Sequence, residues 1–238
     1  MDDEQLLAEI RSLRAGGLST NAIVRATGLP RARVAPLVRQ FDREAPEARP
    51  EQGVVGCWVS EGWDAGLTVS ADADWPGLGG AGFDTSGLAG VLVAREHPRR
   101  GGEVTVCGYL VDTHCLGVKD ALGPRPMSRR TLDRFAVRFF EPFDGLWVAA
   151  PIELARHLVL GAVAYARGLG FEPHSDFEPA ADHLGSLEDS SAITFGVDGQ
   201  PFYMQGPFDD PGPILRTLNR SVGEGNYGFA VEAPMLVG

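Results

Sequence analysis

Leu6, Leu7, Ile10 and Leu13 recur at helical spacing and predict a first helix over about residues 3–14. Gly16-Gly17 ends it, glycine being the usual residue just past a helix. Ser19 is placed to cap a second helix over about 20–27. Gly28 makes a tight turn, and a third helix carries Val34, Leu37, Val38 and Phe41 inward. After residue 53 the pattern changes to β-formers, with strands expected over 54–60, 88–95 and 103–112. Residues 98–102 supply a hairpin loop between the last two. Helices are expected over 128–140, 151–168, 175–184 and 211–220. Asp198-Gly199 between 193–195 and 202–204 is a hairpin signal, and 227–231 reads as a last strand.

Hairpins with helices grouped between them indicate an α+β fold. The expected architecture is an N-terminal three-helix helix-turn-helix bundle (1–45), a linker (46–53), and an acidic α+β domain (54–238). That larger domain should hold a mostly antiparallel sheet and several helices. The stretch 42–53 is charged, carries two prolines and lacks any large apolar side chain, as semi-extended linkers do.

Charge sharpens the division. The net charge of −11 is unevenly spread, with six arginines and no acid between Ile10 and Phe41. Residues 51–238 hold 13 basic against 25 acidic groups. A basic head on an acidic body matters because phosphate attraction is local, screened over roughly 10 Å. No apolar run approaches the ~20 residues that cross a bilayer; the longest, 154–169, is broken by Arg156, His157 and Arg167. Met1-Asp2-Asp3-Glu4 is acidic where a secretory signal is basic. A cytoplasmic protein with no membrane partner is expected. Cys57, Cys107 and Cys115 are too few and scattered for a disulfide framework, and without a C-x-x-C pair they build no structural zinc site.

The string Leu18-Ser-Thr-Asn-Ala-Ile-Val-Arg-Ala-Thr-Gly-Leu-Pro-Arg-Ala-Arg-Val34 resembles the helix-turn-helix of resolvase and repressor families. Ala22 falls at the helix crossing, Gly28 at the turn and Val34 at the buried point of the recognition helix. The resemblance implies that Arg31, Arg33 and Arg39 face DNA, with Ser19 and Arg25 near phosphates. Pro30, where such helices carry a Ser or Thr cap, and Pro36, inside the third helix, depart from the pattern.

Within the larger domain the densest set of reactive side chains is Cys107-Gly-Tyr-Leu-Val-Asp112-Thr-His-Cys115-Leu-Gly-Val-Lys119-Asp120. Three further strings are 170–177 with His174 and Asp176, 195–210, and 222–226. Together they resemble a bacterial protein family that sometimes carries a helix-turn-helix in front. That resemblance implies no activity. Two chemistries suit the residues. Cys115 could act as nucleophile, with His114 or His174 as base and Asp112 or Asp176 orienting it. Alternatively Asp112, His114, His174 and Asp176 could hold a divalent ion that activates water. Local roles explain the same residues: Asp112 and Asp120 can cap turns, Asp176 can sit at a helix start, and Asp198-Gly199 is turn chemistry. Lys119 is the single lysine of the chain. The candidate site residues are therefore Asp112, Cys115, Lys119, His174 and Asp176, with no resident cofactor or metal expected.

The leading functional expectation is a DNA-associated regulator whose acidic domain binds a protein partner or small ligand. The alternatives are a hydrolytic or nucleic-acid-processing enzyme with its site at 112–120 and 174–176, and a protein-interaction module. A homodimer is compatible with each.

Overall fold

The structure is a computed structural model, and it describes residues 24, 26–30, 33, 34, 53–79, 87–97, 100–187 and 190–231. The chain divides into two units, Met1–Gln52 and Gly53–Gly238.

In the larger unit five strands form one antiparallel sheet: β1 (Val54–Ser60), β3 (Leu88–Glu96), β4 (Glu103–Asp112), β5 (Gly117–Ser128) and β6 (Trp147–Ala149). Their spatial order is β5-β4-β3-β1-β6. Residues Val91 to Ala94 of β3 are all buried, because both faces of the sheet are covered. Cys57, Val59, Val91, Val93, Tyr109 and Val111 point to one face, where α2 (Ile152–Gly168) and the short α3 (Phe177–Ala181) pack. Leu92, Ala94, Val104 and Val106 point to the other, under Leu132, Ala136 and Phe140 of α1 (Arg129–Phe140). Ser128 caps α1 by accepting the Thr131 N–H. Fully buried Leu154 and Leu158 of α2 each contribute about 2 kcal/mol of apolar transfer. A third cluster, Cys115, Leu169, Tyr203 and Leu218, joins α4 (Pro211–Ser221) to the far end of the sheet.

The expected fold needs a correction at its N-terminus. The four α-helices of the described residues all follow residue 128, so the three-helix bundle over 1–45 is not part of the observed architecture, which is α+β about one antiparallel sheet. Before residue 53 the described residues show helical geometry at Val24, Ala26, Thr27, Arg33 and Val34 and a turn at Gly28 (φ 66°). Ser19, Arg25, Arg31 and Arg39 lie outside the described residues, as does most of the 42–53 linker. The expectation rests on apolar spacing over segments of eight to twelve residues, a pattern that stretches so short can meet without specifying a bundle.

The hairpin expected around Asp198-Gly199 is also corrected. The turn is there, with φ of 51° and 82° and a Val197–Gln200 bridge. Its flanks pair elsewhere, however. β7 (Ile193–Thr194) joins β2 (Thr68–Val69) antiparallel, while β8 (Phe202–Met204) joins β9 (Gly228–Ala230) in parallel. Turn chemistry fixes the reversal of the chain, and burial chooses the partner. Among the described residues no helix is long and apolar enough to cross a membrane.

Candidate functional site

Three features of the larger unit bear on function, and they use the candidate residues differently.

The first is the tight turn from β4 to β5. Asp112 ends β4, and its carboxylate accepts the N–H groups of His114 and Cys115, each at 2.9 Å. This local wrap explains why Asp stands there, since a short side-chain acceptor two residues back replaces a missing ladder bond. The turn then serves as a hub. Thr113 bonds the Gly87 carbonyl through both N–H (2.8 Å) and hydroxyl (2.9 Å). The Thr113 carbonyl accepts from Gly196 and the His114 carbonyl from Phe202, at 3.0 and 3.1 Å. The His114 ring meets the Ala65 carbonyl at 2.9 Å, and a side chain at Gly87 would overlap that ring. Asp112 and His114 are buried at 4% and 3% exposure. Burial pushes the Asp112 carboxyl above its usual range, opposed by the N–H groups it accepts and by Lys119. Burial, then the Asp112 charge, pushes the Cys115 thiol far above its ordinary value. The Cys115 side chain is wholly buried, packed with Leu169, Tyr203 and Leu218.

The second feature is Lys119. In the β4–β5 ladder Leu110 faces Asp120 and Val111 faces Val118, so Lys119 is an extra residue, the bulge. Its ammonium donates to both oxygens of Asp209, at 2.9 and 2.6 Å. Asp209 also accepts the Gly206 N–H at 2.8 Å, and a side chain at Gly206 would crowd the Lys119 ammonium and the Asp209 carboxylate. The pair pins the 205–210 loop to β5. Both side chains are mostly buried (18% and 13% exposed), and the nearby Tyr203 hydroxyl has no hydrogen-bond partner.

The third feature is an open groove of about 910 Å3 between α2, α3, Leu187 and residues 190–195. Its floor is apolar, with Leu160, Val163, Phe177, Ile193 and Phe195, and its rim carries Arg167, Glu172, His174 and Glu178. At the rim the His174 N–H donates to the Val118 carbonyl at 2.9 Å, tying the strings 112–120 and 174–176 together. His174 Nδ1 then lies 3.8 Å from Asp120 Oδ1 and 3.8 Å from Asp176 Oδ2. One donor atom from each of the three lies within 4.8 Å of the others, and all three side chains face solvent.

No protein-family model, curated protein or solved structure matches this chain.

Of the five candidates in the larger domain, the structure brings Asp112, Cys115 and Lys119 into one buried junction. It places His174 and Asp176 in a separate, exposed cluster. The groove is lined by His174 but by neither Asp112 nor Lys119. Of the four metal ligands weighed from sequence, His174 and Asp176 meet, while Asp112 and His114 are committed to the turn. Asp120 takes the third place. Sequence reasoning placed Asp120 at the end of the reactive string and allowed it a capping role, but did not count it among the metal ligands, because the whole of β5 was missed. Reading 117–128 as a strand would have drawn its polar tip beside the 174–176 turn. Arg33 is exposed, and the other expected DNA contacts lie outside the described residues.

Proposed function

We propose that this chain is a DNA-associated regulatory protein whose acidic domain binds a small amphipathic ligand in the groove between α2 and α3. The observation that carries the ligand reading is the groove itself: its volume suits a small molecule, and its apolar floor with a charged rim is the usual form of such a site. An apolar body would lie on Leu160, Val163 and Phe195, and a polar end would meet Arg167 and His174. The DNA reading rests on the six arginines without an acid between Ile10 and Phe41. Three free, buried cysteines suit a reducing compartment, and we place the protein in the cytoplasm.

The ligand reading is tested with the dye 1-anilinonaphthalene-8-sulfonate on the folded full chain. Saturable binding is expected, lost on Ala164→Trp, which fills the mouth from an exposed helix position. Dye binding untouched by that change would end the assignment of the groove. The DNA reading is tested by salt-dependent binding of a duplex, expected to weaken as salt rises and to disappear on R31A/R33A.

A second reading, metal-assisted hydrolysis, is favoured by the meeting of Asp120, His174 and Asp176. Ligands of one ion stand roughly 3–3.5 Å apart for bonds of about 2.1 Å, so a small closing movement would complete the set. One imidazole with two carboxylates suits a first-row divalent ion better than calcium. Titration with Zn2+ or Mn2+ decides it: sub-millimolar binding lost on His174→Ala supports the site, and equal binding by the variant removes it.

A further inference from the structure

We infer that the solvent face of α1 is a docking surface for the phosphate backbone of a nucleic-acid duplex. The inference rests on the DNA-associated reading and deepens it by placing phosphate contacts on the acidic domain itself.

Between Arg125 and Arg138 there are five arginines and one acid, Asp133, in a region whose overall balance is strongly negative. All five arginines are exposed. Leu132, Ala136 and Phe140 turn inward, so Arg130, Arg134 and Arg138, at i, i+4 and i+8, form one strip on the opposite side. Arg129 reaches only a long contact to Glu96, at 3.8 Å, and among the described residues Arg125, Arg130, Arg134 and Arg138 make no ion pair.

The strip works against the helix that carries it. Arg129 and Arg130 occupy the first turn, where the helix dipole disfavours cations, and no acid stands there to compensate. Like charges four residues apart repel one another, and the strip repeats that spacing twice. Arg138, in the last turn, is the one member of the strip that the dipole favours, so the cost falls on Arg130 and on the two like-charge spacings; rules broken with so little local gain mark a surface shaped by something outside the domain. A polyanion laid along the strip relieves both penalties.

Geometry and chemistry favour a duplex. Eight residues of helix advance about 12 Å, and one strand presents a phosphate about every 3.4 Å of axis, so three guanidinium groups face three or four phosphates. Arginine forks match phosphate oxygens in pairs. The strip carries one exposed apolar side chain, Val137. That is too little for the apolar core of a protein interface or for insertion into a lipid surface.

The test uses the full chain and a mixed-sequence 20-base-pair duplex, followed by fluorescence anisotropy between about 50 and 200 mM salt. R130Q/R134Q/R138Q is compared with R31Q/R33Q and with the triple lysine variant. Loss of three phosphate contacts should lower the slope of log affinity against log salt by about 2.7, and weaken binding at the lowest salt at least about tenfold. The lysine variant should keep most of the slope. The melting temperature of the glutamine variant should hold or rise. If it falls, the lysine variant decides: a kept slope supports the surface and a lost slope overturns it. Duplex binding that survives the α1 changes but not R31Q/R33Q overturns the inference and leaves the DNA reading standing. A wild-type chain that ignores the duplex at the lowest salt removes both. Binding of poly-glutamate through α1, with duplex binding unchanged by the triple variant, would instead identify an acidic protein partner and overturn the inference.

Discussion

Replacing Asp112 separates a scaffold role from a catalytic one. In Asp112→Ala the N–H groups of His114 and Cys115 lose the acceptor that each holds at 2.9 Å, in a turn closed to solvent. A buried donor left without a partner costs about 1–3 kcal/mol. Two of them give an expected loss of about 2–4 kcal/mol, allowing one to recover a weaker acceptor. For a unit of this size each kcal/mol shifts the melting temperature by about 2–4 °C, so a drop of about 5–15 °C is expected. Asp112→Asn keeps a carbonyl oxygen in the same place and should stay within about 1 kcal/mol of wild type. The pH dependence adds a second mark. Burial raises the folded pKa above its ordinary 3.8, so the folded state holds this proton more tightly than the unfolded chain. That contribution is complete below the unfolded pKa and is lost as pH rises through the folded value. The asparagine variant should lack this decline and compare best with wild type at neutral pH. Thermal unfolding by circular dichroism, with tryptophan fluorescence to which the buried Trp63 contributes, measures both variants. If Asp112→Asn loses as much as Asp112→Ala, or Asp112→Ala loses nothing, the turn-hub account is wrong.

Two further outcomes follow from charged groups. Lys119→Met leaves Asp209 mostly buried without its cation and should cost about 3 kcal/mol in urea unfolding; adding Asp209→Asn should recover part of it, and additive losses would refute the coupling. Burial, then Arg95, holds His183 down at about 4 from an ordinary 6.5. The unfolded chain therefore binds more protons between those values. Stability should be complete above about pH 6.5 and fall by about 1–2 kcal/mol toward pH 4, screening included, and His183→Gln should flatten the curve.

The sequence showed the centre of the sheet more clearly than its margin. β1 and β4 match their expected limits and β3 runs one residue further, because valine-rich runs bounded by turns have few other folds open to them. β5 was invisible because Gly117, Gly123, Pro124 and Pro126 read as loop; an edge strand tolerates them, since one side of it needs no ladder donors. α3 proved shorter than expected, the residues after Ala181 closing as turns rather than helix. At the site, the Asp112–Asp120 string stood out by its chemistry, yet most of that chemistry holds loops together. Reactive residue types look alike in sequence whether their hydrogen bonds point inward or to a ligand. The α1 arginines were visible letter by letter, and only the buried face of the helix revealed that three of them align.

The bulge at Lys119 bears on which length changes β5 tolerates. Val118 and Ala121 both reach the core although three positions separate them, an interval that regular alternation forbids. Removing Lys119 would shorten that interval to two and erase this bulge, leaving the second register shift, opposite Cys107, in place. The sheet itself has no need of this residue, whose ammonium serves the Asp209 loop instead. A one-codon deletion here would therefore spare the pairing of β4 with β5, and its cost would fall on Asp209, left mostly buried without its cation.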